Sequence, residues 1–154
     1  MEHRQAAGAA HATPEGLVIV TGAFDLLHVG HLRFLQAARR LGSQLAVGVE
    51  SDERVRGWKG PRRPVQAQED RMELLAALRA VDEVFLIEGE RVDPAYYADL
   101  LAPRHARYLA VTTDDPYLDA KREAMAAVGV ELRVVVPRIE NYSTSRLVEL
   151  LGLA

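Results

Sequence analysis

The sequence predicts an α/β fold: a doubly wound, five-stranded parallel sheet with helices on both faces. Three observations predict it. Short apolar segments alternate with segments of helical periodicity along most of the chain. The apolar segments are near-continuous hydrophobic runs, the pattern of strands covered on both faces, as in parallel sheets. Each is also separated from the next by a helix-length stretch, which right-handed parallel crossovers require.

Leu17 to Val20 is a β-branched apolar run ended by Gly22 and reads as the first strand. A helix follows almost at once, with Leu32, Leu35, Ala38 and Leu41 at helical spacing and Gly42 as its C-terminal cap. Gln44 to Val49 is the second strand, after which Ser51 caps a short helical turn through Val55. A helix from about Gln68 to Ala80 turns Met72, Leu74, Leu75 and Leu78 toward a core, and Val84 to Ile87 is the third strand. Asp93 with Pro94 is an N-cap and first-turn pair for a helix to about Leu101, and Asp115 with Pro116 repeats the device before a helix ending near Gly129. Tyr108 to Val111 and Leu132 to Val136 supply the fourth and fifth strands, and the last helix runs from about Ser143 to Leu150. The arrangement is Rossmann-like.

A chain of 154 residues can bury roughly two thirds of its unfolded surface in one core. Residues 16–154 are therefore read as a single domain, and residues 1–15, with His3 and His11, as a flexible, solvated N-terminal extension. A net charge of -3 argues against a general nucleic-acid or membrane-surface binder. The absence of Cys excludes a disulfide framework and a thiolate metal site and fits a cytoplasmic protein. The chain has neither an apolar run of transmembrane length nor the apolar core of a signal peptide at its start.

Ligands of such sheets bind beyond the carboxyl ends of the strands, and the chemically distinctive residues stand in those loops. In VTGAFDLLHVGHLRFL, His31 falls in the first turn of a helix, where backbone N–H groups and the positive end of the dipole favour an anion. Gly30 leaves room for a phosphate to approach while the imidazoles of His28 and His31 reach its oxygens. The same His spacing would suit a metal, but no third ligand stands nearby at a suitable spacing. RVRGWKGPRRPV holds Arg54, Arg56, Lys59, Arg62 and Arg63 without an acid. Such a loop is expected to be mobile until an anion orders it. Trp58 within it is either a loop anchor or a wall of an acceptor site. His105, in PRHARY, reads as a surface residue.

FDLLHVGH resembles the HxGH signature of the cytidylyltransferase-like nucleotidyltransferases. That resemblance implies transfer of a nucleotidyl group from a nucleoside triphosphate to a phosphorylated small molecule, with pyrophosphate released. It implies catalytic roles for His28 and His31 and nucleotide contacts at Gly22, Ala23, Phe24, Asp25 and Gly30, Asp25 holding the loop or orienting a His. KGPRRPV and EDRMELL resemble the KGxxRPV and ERxxLL elements of the heptose-phosphate adenylyltransferase branch. They imply Lys59 as a mobile point charge and Arg71 as a helix-borne fork for phosphate oxygens.

PRIENYSTSRLVELL resembles the RTEGISTT element of the cytidylyltransferase branch and implies nucleotide contacts at Arg138, Tyr142, Ser143, Thr144 and Ser145. TTDDP resembles that branch's GDDW-like element and adds Thr112 and Asp114. The acceptor phosphate is already an anion, so neither a strong general base nor a covalent nucleophile is expected. Mg²⁺ is expected to arrive with the triphosphate, with no dedicated metal site on the protein.

The two branches differ in donor. Thr112 and Thr113 narrowing the pocket, together with the late elements, favour CTP and an acceptor such as glycerol 3-phosphate. The alternative is ATP with a sugar phosphate of the heptose 1-phosphate type. A reading from another class is a nucleotide-binding module without turnover, motivated by the departures at TTDDP and ENYSTS. No nucleic acid or membrane partner is expected, and a homodimer is admitted.

Overall fold

The structure, a computed structural model, describes residues 15–90, 93–136 and 143–153. Its strands are β1 Leu17–Gly22, β2 Gln44–Glu50, β3 Glu83–Ile87, β4 Tyr108–Thr112 and β5 Glu131–Val136. Its helices are α1 Val29–Arg39, α2 Asp52–Lys59, α3 Gln68–Ala76, α4 Pro94–Leu101, α5 Leu118–Ala127 and α6 Thr144–Leu150. The five strands form one parallel sheet in the order β3-β2-β1-β4-β5.

Successive strand residues point to opposite faces, so β1 feeds two cores. Val18 and Val20 join Leu35 and Ala38 of α1 and Leu75 of α3 on one face. Ile19 joins Tyr97 and Leu101 of α4 and Met125 of α5 on the other. Sealing a Leu or Ile side chain contributes about 1.5–3 kcal/mol, and this two-sided burial is what makes the strands read as continuous apolar runs. The chain winds outward from β1 to β3, then crosses back to β4 beside β1. The carboxyl ends of β1 and β4 therefore flank the topological switch point, where an open α/β sheet leaves a crevice.

Several boundaries differ from the sequence expectation. Helix α1 is capped at Arg40, ahead of Gly42. Gly42 serves a close approach instead, since a Cβ there would lie 2.3 Å from the Gly16 carbonyl oxygen. Helix α3 stops at Ala76, where single-turn bonds from Leu78 N–H to the Leu75 carbonyl and from Val81 N–H to the Leu78 carbonyl take over. Leu78 still packs on the core, but Leu74 is exposed, because the core-facing stripe of this short helix runs through Arg71 and Leu75.

Helix α5 begins at Leu118, and Asp115 does not cap it: its carboxylate accepts the Tyr117 N–H within the preceding turn and pairs with Lys121. The largest departure is at RVRGWK, which forms helix α2 where a mobile loop was expected. Ser51 caps it by accepting the Arg54 N–H, and Asp52 and Glu53 complement the dipole in its first turn. Among the described residues, no helix is long and apolar enough to cross a membrane.

Candidate active site

Strand β1 leaves the sheet through Gly22 into a turn whose backbone is strained. Phe24 and Leu26 both adopt φ 50°, in the left-handed region that costs an L-residue about 1–2 kcal/mol. Asp25 between them is 1% exposed, and its contacts offset that strain. Its carboxylate accepts hydrogen bonds from Arg63 Nε at 3.0 Å, Val65 N–H at 2.9 Å and Gln66 N–H at 3.0 Å. Leu26 N–H donates to Gln66 Oε1, and Thr144 Oγ1 donates to the Asp25 carbonyl at 2.6 Å. One residue thus ties the exit of β1 to segment 63–66 and to the start of α6.

The turn delivers the chain to α1, whose N-cap is His28. His28 Nδ1 accepts the Gly30 N–H at 3.1 Å, and His31 Nδ1 accepts the His28 N–H at 3.4 Å, a capping box built from two imidazoles. The rings stack with centroids 3.8 Å apart, and His31 also meets Phe24 at 5.4 Å. Because each Nδ1 accepts, each neutral ring carries its hydrogen on Nε2. The Gly30 N–H is thus taken up by a ring that carries a donor of its own on the opposite nitrogen.

Burial keeps both rings neutral. Burial, the neighbouring His28 and the Lys59 ammonium hold His31 down at about 3, against a weaker upward pull from Asp25. Burial also lowers His28. Between pH 6.5 and about 3 the unfolded state therefore binds a proton at His31 that the native state does not. The resulting stability is complete above 6.5 and is lost as the pH falls toward 3. Urea midpoints at pH 7, 5.5 and 4.5 are expected to fall in that order, and more steeply in the parent than in His31→Gln; equal slopes would contradict the assignment.

A cleft of about 230 Å³ opens at the switch point. The first loop contributes Gly22, Ala23, Phe24 and Asp25, α1 contributes His31 and Phe34, and α2 contributes Trp58 and Lys59. Thr112, Asp115, Lys121 and Thr144 close the other side. Half of the expected site residues thus line one cleft: Gly22, Ala23, Phe24, Asp25, His31, Lys59, Thr112 and Thr144, with Gly30 outside it. His28 is not among the lining residues and reaches the site through its stack on His31, and Asp114 lines an adjoining cavity. Ser143 caps α6 by accepting the Arg146 N–H, and Ser145 is exposed. Arg138 and Tyr142 lie outside the described residues.

Arg71 is not brought to the cleft. Its side chain is fully buried and its three nitrogens serve the protein: Nε donates to the Gln66 carbonyl, one terminal nitrogen to the Ala23 carbonyl, and the other to Asp52 at 2.7 Å. It braces the two loops that shape the site rather than forking a phosphate. Arg54 and Arg63, expected as mobile cations, are buried as well. Arg63 pairs with Asp25, while Arg54 reaches the Gly89 carbonyl, Tyr97 and Glu50. Of the five cations in that stretch, Arg56 and Arg62 are exposed and Lys59 faces the cleft.

Two residues that sequence reasoning did not single out stand at the site. Lys121 pairs with Asp115 at 2.5 Å on the cleft wall, six residues apart across a turn, a spacing with no sequence signature. Glu50, at the end of β2, accepts from Tyr97 Oη at 2.9 Å and Trp58 Nε1 at 3.0 Å. The buried hydroxyl of Tyr97 is accordingly pushed well above its ordinary value, first by burial and then by the Glu50 charge.

Donors gathered at this crevice, with helix starts on either side, are what an α/β nucleotide-binding protein presents to phosphate groups. The chain belongs to the cytidylyltransferase-like family, whose model matches residues 19–150. It is 35% identical over 142 residues to the bifunctional protein HldE of Alcanivorax borkumensis, a match covering 91% of this chain and 28% of that protein. It is 49% identical over 80 residues to the protein of the same name from Magnetococcus marinus, covering 52% of this chain and 16% of that one. The chain thus spans little more than a quarter of these relatives at most. Among solved structures, it resembles the lipopolysaccharide core biosynthesis protein of Thermoplasma volcanium with a TM-score of 0.64 and 25% identity, covering 82% of this chain and 98% of that one.

Proposed function

We propose that this chain transfers an adenylyl group from ATP to a sugar phosphate, releasing pyrophosphate. The observation that carries nucleotidyl transfer is the imidazole pair at the start of α1, with Lys59 beside it in the switch-point cleft. With each Nδ1 engaged as an acceptor, the rings present Nε2–H as donors to the charge that builds on the phosphoryl oxygens and on departing pyrophosphate. Lys59 supplies the full positive charge. The acceptor attacks with an oxygen that is already anionic, so the work left to the protein is to bring two anions together and hold them in line. Mg²⁺ arriving with the triphosphate would supply charge neutralisation to its phosphates.

The choice of base departs from the sequence expectation of CTP. That expectation leaned on PRIENYSTS, whose Arg138 and Tyr142 lie outside the described residues. The likeness to HldE proteins extends over 91% of this chain and agrees with the resemblance of KGPRRPV to the heptose-phosphate adenylyltransferase branch, which favours ATP. With one sugar 1-phosphate as the shared acceptor, kcat/KM for ATP is expected to exceed that for CTP by tenfold or more, read as pyrophosphate release. Equal or better use of CTP would return the cytidylyl reading, and no release with any triphosphate and acceptor would favour a binding module.

A further inference from the structure

Trp58 is the one tryptophan of the chain, and it lies at the junction of three cavities: the switch-point cleft, a space of about 450 Å³ against Arg54 and Gly89, and a larger one of about 560 Å³. The large cavity runs from the end of β2 to the loop after β4 and is lined by Glu50, Tyr97, Asp114, Tyr117 and Lys121 together with Trp58. No residue of α1 or α6 lines it, so it is separate from the helix starts that suit a triphosphate. It shares Thr112, Asp115, Lys121 and Trp58 with the cleft. A molecule held there would therefore meet the nucleotide at those four residues.

An indole that is 54% exposed would normally sample several rotamers, and this one is pinned. Its Nε1–H donates to Glu50, whose carboxylate is fixed from below by Tyr97 and Arg54. Lys59 Nζ rests over the ring at 4.6 Å, and Lys59 lines the cleft but neither of the other cavities. The ring thus steadies the cation that faces the nucleotide while presenting a fixed apolar surface next door. An immobile aromatic surface with carboxylates nearby is the chemistry that recognises a polyhydroxylated ring: C–H bonds lie against the π face and hydroxyls donate to the carboxylates.

The geometry points to Trp58 as the specificity-determining wall of the acceptor subsite, selecting a cyclic sugar phosphate over an acyclic polyol phosphate. The sugar ring lies against the indole in the larger cavity, and its phosphate falls in the zone shared with the cleft, at Lys121 and Thr112. Glu50 is the positioning residue that holds the wall upright. This rests on the proposed transfer reaction for its setting, but its test is separable from it.

Because Trp58 is the sole tryptophan, its emission reports the subsite directly in the intact protein without nucleotide. Titration with mannose 1-phosphate or heptose 1-phosphate is expected to give a saturable change in intensity or wavelength, and glycerol 3-phosphate none at the same concentrations. In turnover assays, Trp58→Ala is expected to raise KM for the sugar phosphate tenfold or more and by a larger factor than it raises KM for ATP, and Trp58→Phe to restore most of the loss. A rise confined to the KM for ATP would place the ring under the base and overturn the proposal. Unchanged constants for both substrates would make Trp58 a loop anchor and overturn it equally. Saturable sugar-phosphate binding without turnover would uphold the subsite while overturning the transfer reaction. Turnover of a sugar phosphate that neither perturbs Trp58 nor responds to its removal would do the reverse.

Discussion

Replacing His31 with alanine is expected to lower turnover by about 10² or more, as loss of a preorganised donor to transition-state charge does, while the protein remains folded. His28→Ala should act similarly, since the two rings form one unit: each orders the other through the reciprocal cap and the 3.8 Å stack. The effects should therefore not add, and the double variant should be little worse than either single one. A stability cost of about 1 kcal/mol accompanies loss of the His28 cap, too small to account for the lost rate. His31→Gln provides a control, because its amide can still accept the His28 N–H while presenting a donor of different reach. Stopped-flow or steady-state pyrophosphate release, with circular dichroism on the same samples, separates the two effects. A double variant that keeps near-parental turnover would remove the imidazoles from the mechanism.

The architecture was legible because local and global signals agree. Val18, Ile19 and Val20 read as a buried strand because both their faces meet helices, and Asp93 with Pro94 starts α4 as the pair predicts. The HVGH segment announced a helix-start site, and its two rings stand there. What the sequence hid is which charges the fold would consume internally. Arg54 and Arg63 look like ligands of phosphate in a chain, since no acid stands within RVRGWKGPRRPV to pair with them, and Arg71 looks like one through the resemblance of EDRMELL to ERxxLL. Their partners come from elsewhere: Asp25 lies 38 residues before Arg63, and the Ala23 carbonyl lies 48 before Arg71. Such pairings depend on tertiary closure and leave no local pattern. Glu50 was hidden for the same reason: at the end of an apolar strand it looks like a solvated boundary residue, yet its Tyr97 partner is 47 residues away.

That internal use of charge sets the second large effect, at Asp25. Asp25→Ala is expected to destabilise the protein by about 3–5 kcal/mol, the cost of leaving a buried charge without its partner. The Arg63 side chain is only 10% exposed, so its guanidinium cannot turn to water without moving the segment that carries it. Two further donors, the N–H groups of Val65 and Gln66, lose their acceptor at the same time. The strained φ angles of Phe24 and Leu26 lose what holds them, and the site loop should loosen. Pairing Asp25→Asn with Arg63→Met tests the cause: removing both charges with similar volume should recover a large part of the loss, because the penalty comes from the uncompensated ion rather than from the missing attraction. Activity should fall with stability in Asp25→Ala and recover only as far as the loop recovers its shape. Urea denaturation of the parent and the two variants decides it. If Asp25→Ala costs less than about 1 kcal/mol, the buried pair does not brace the loop, and the lost activity of that variant would instead mark Asp25 as a group that contacts substrate.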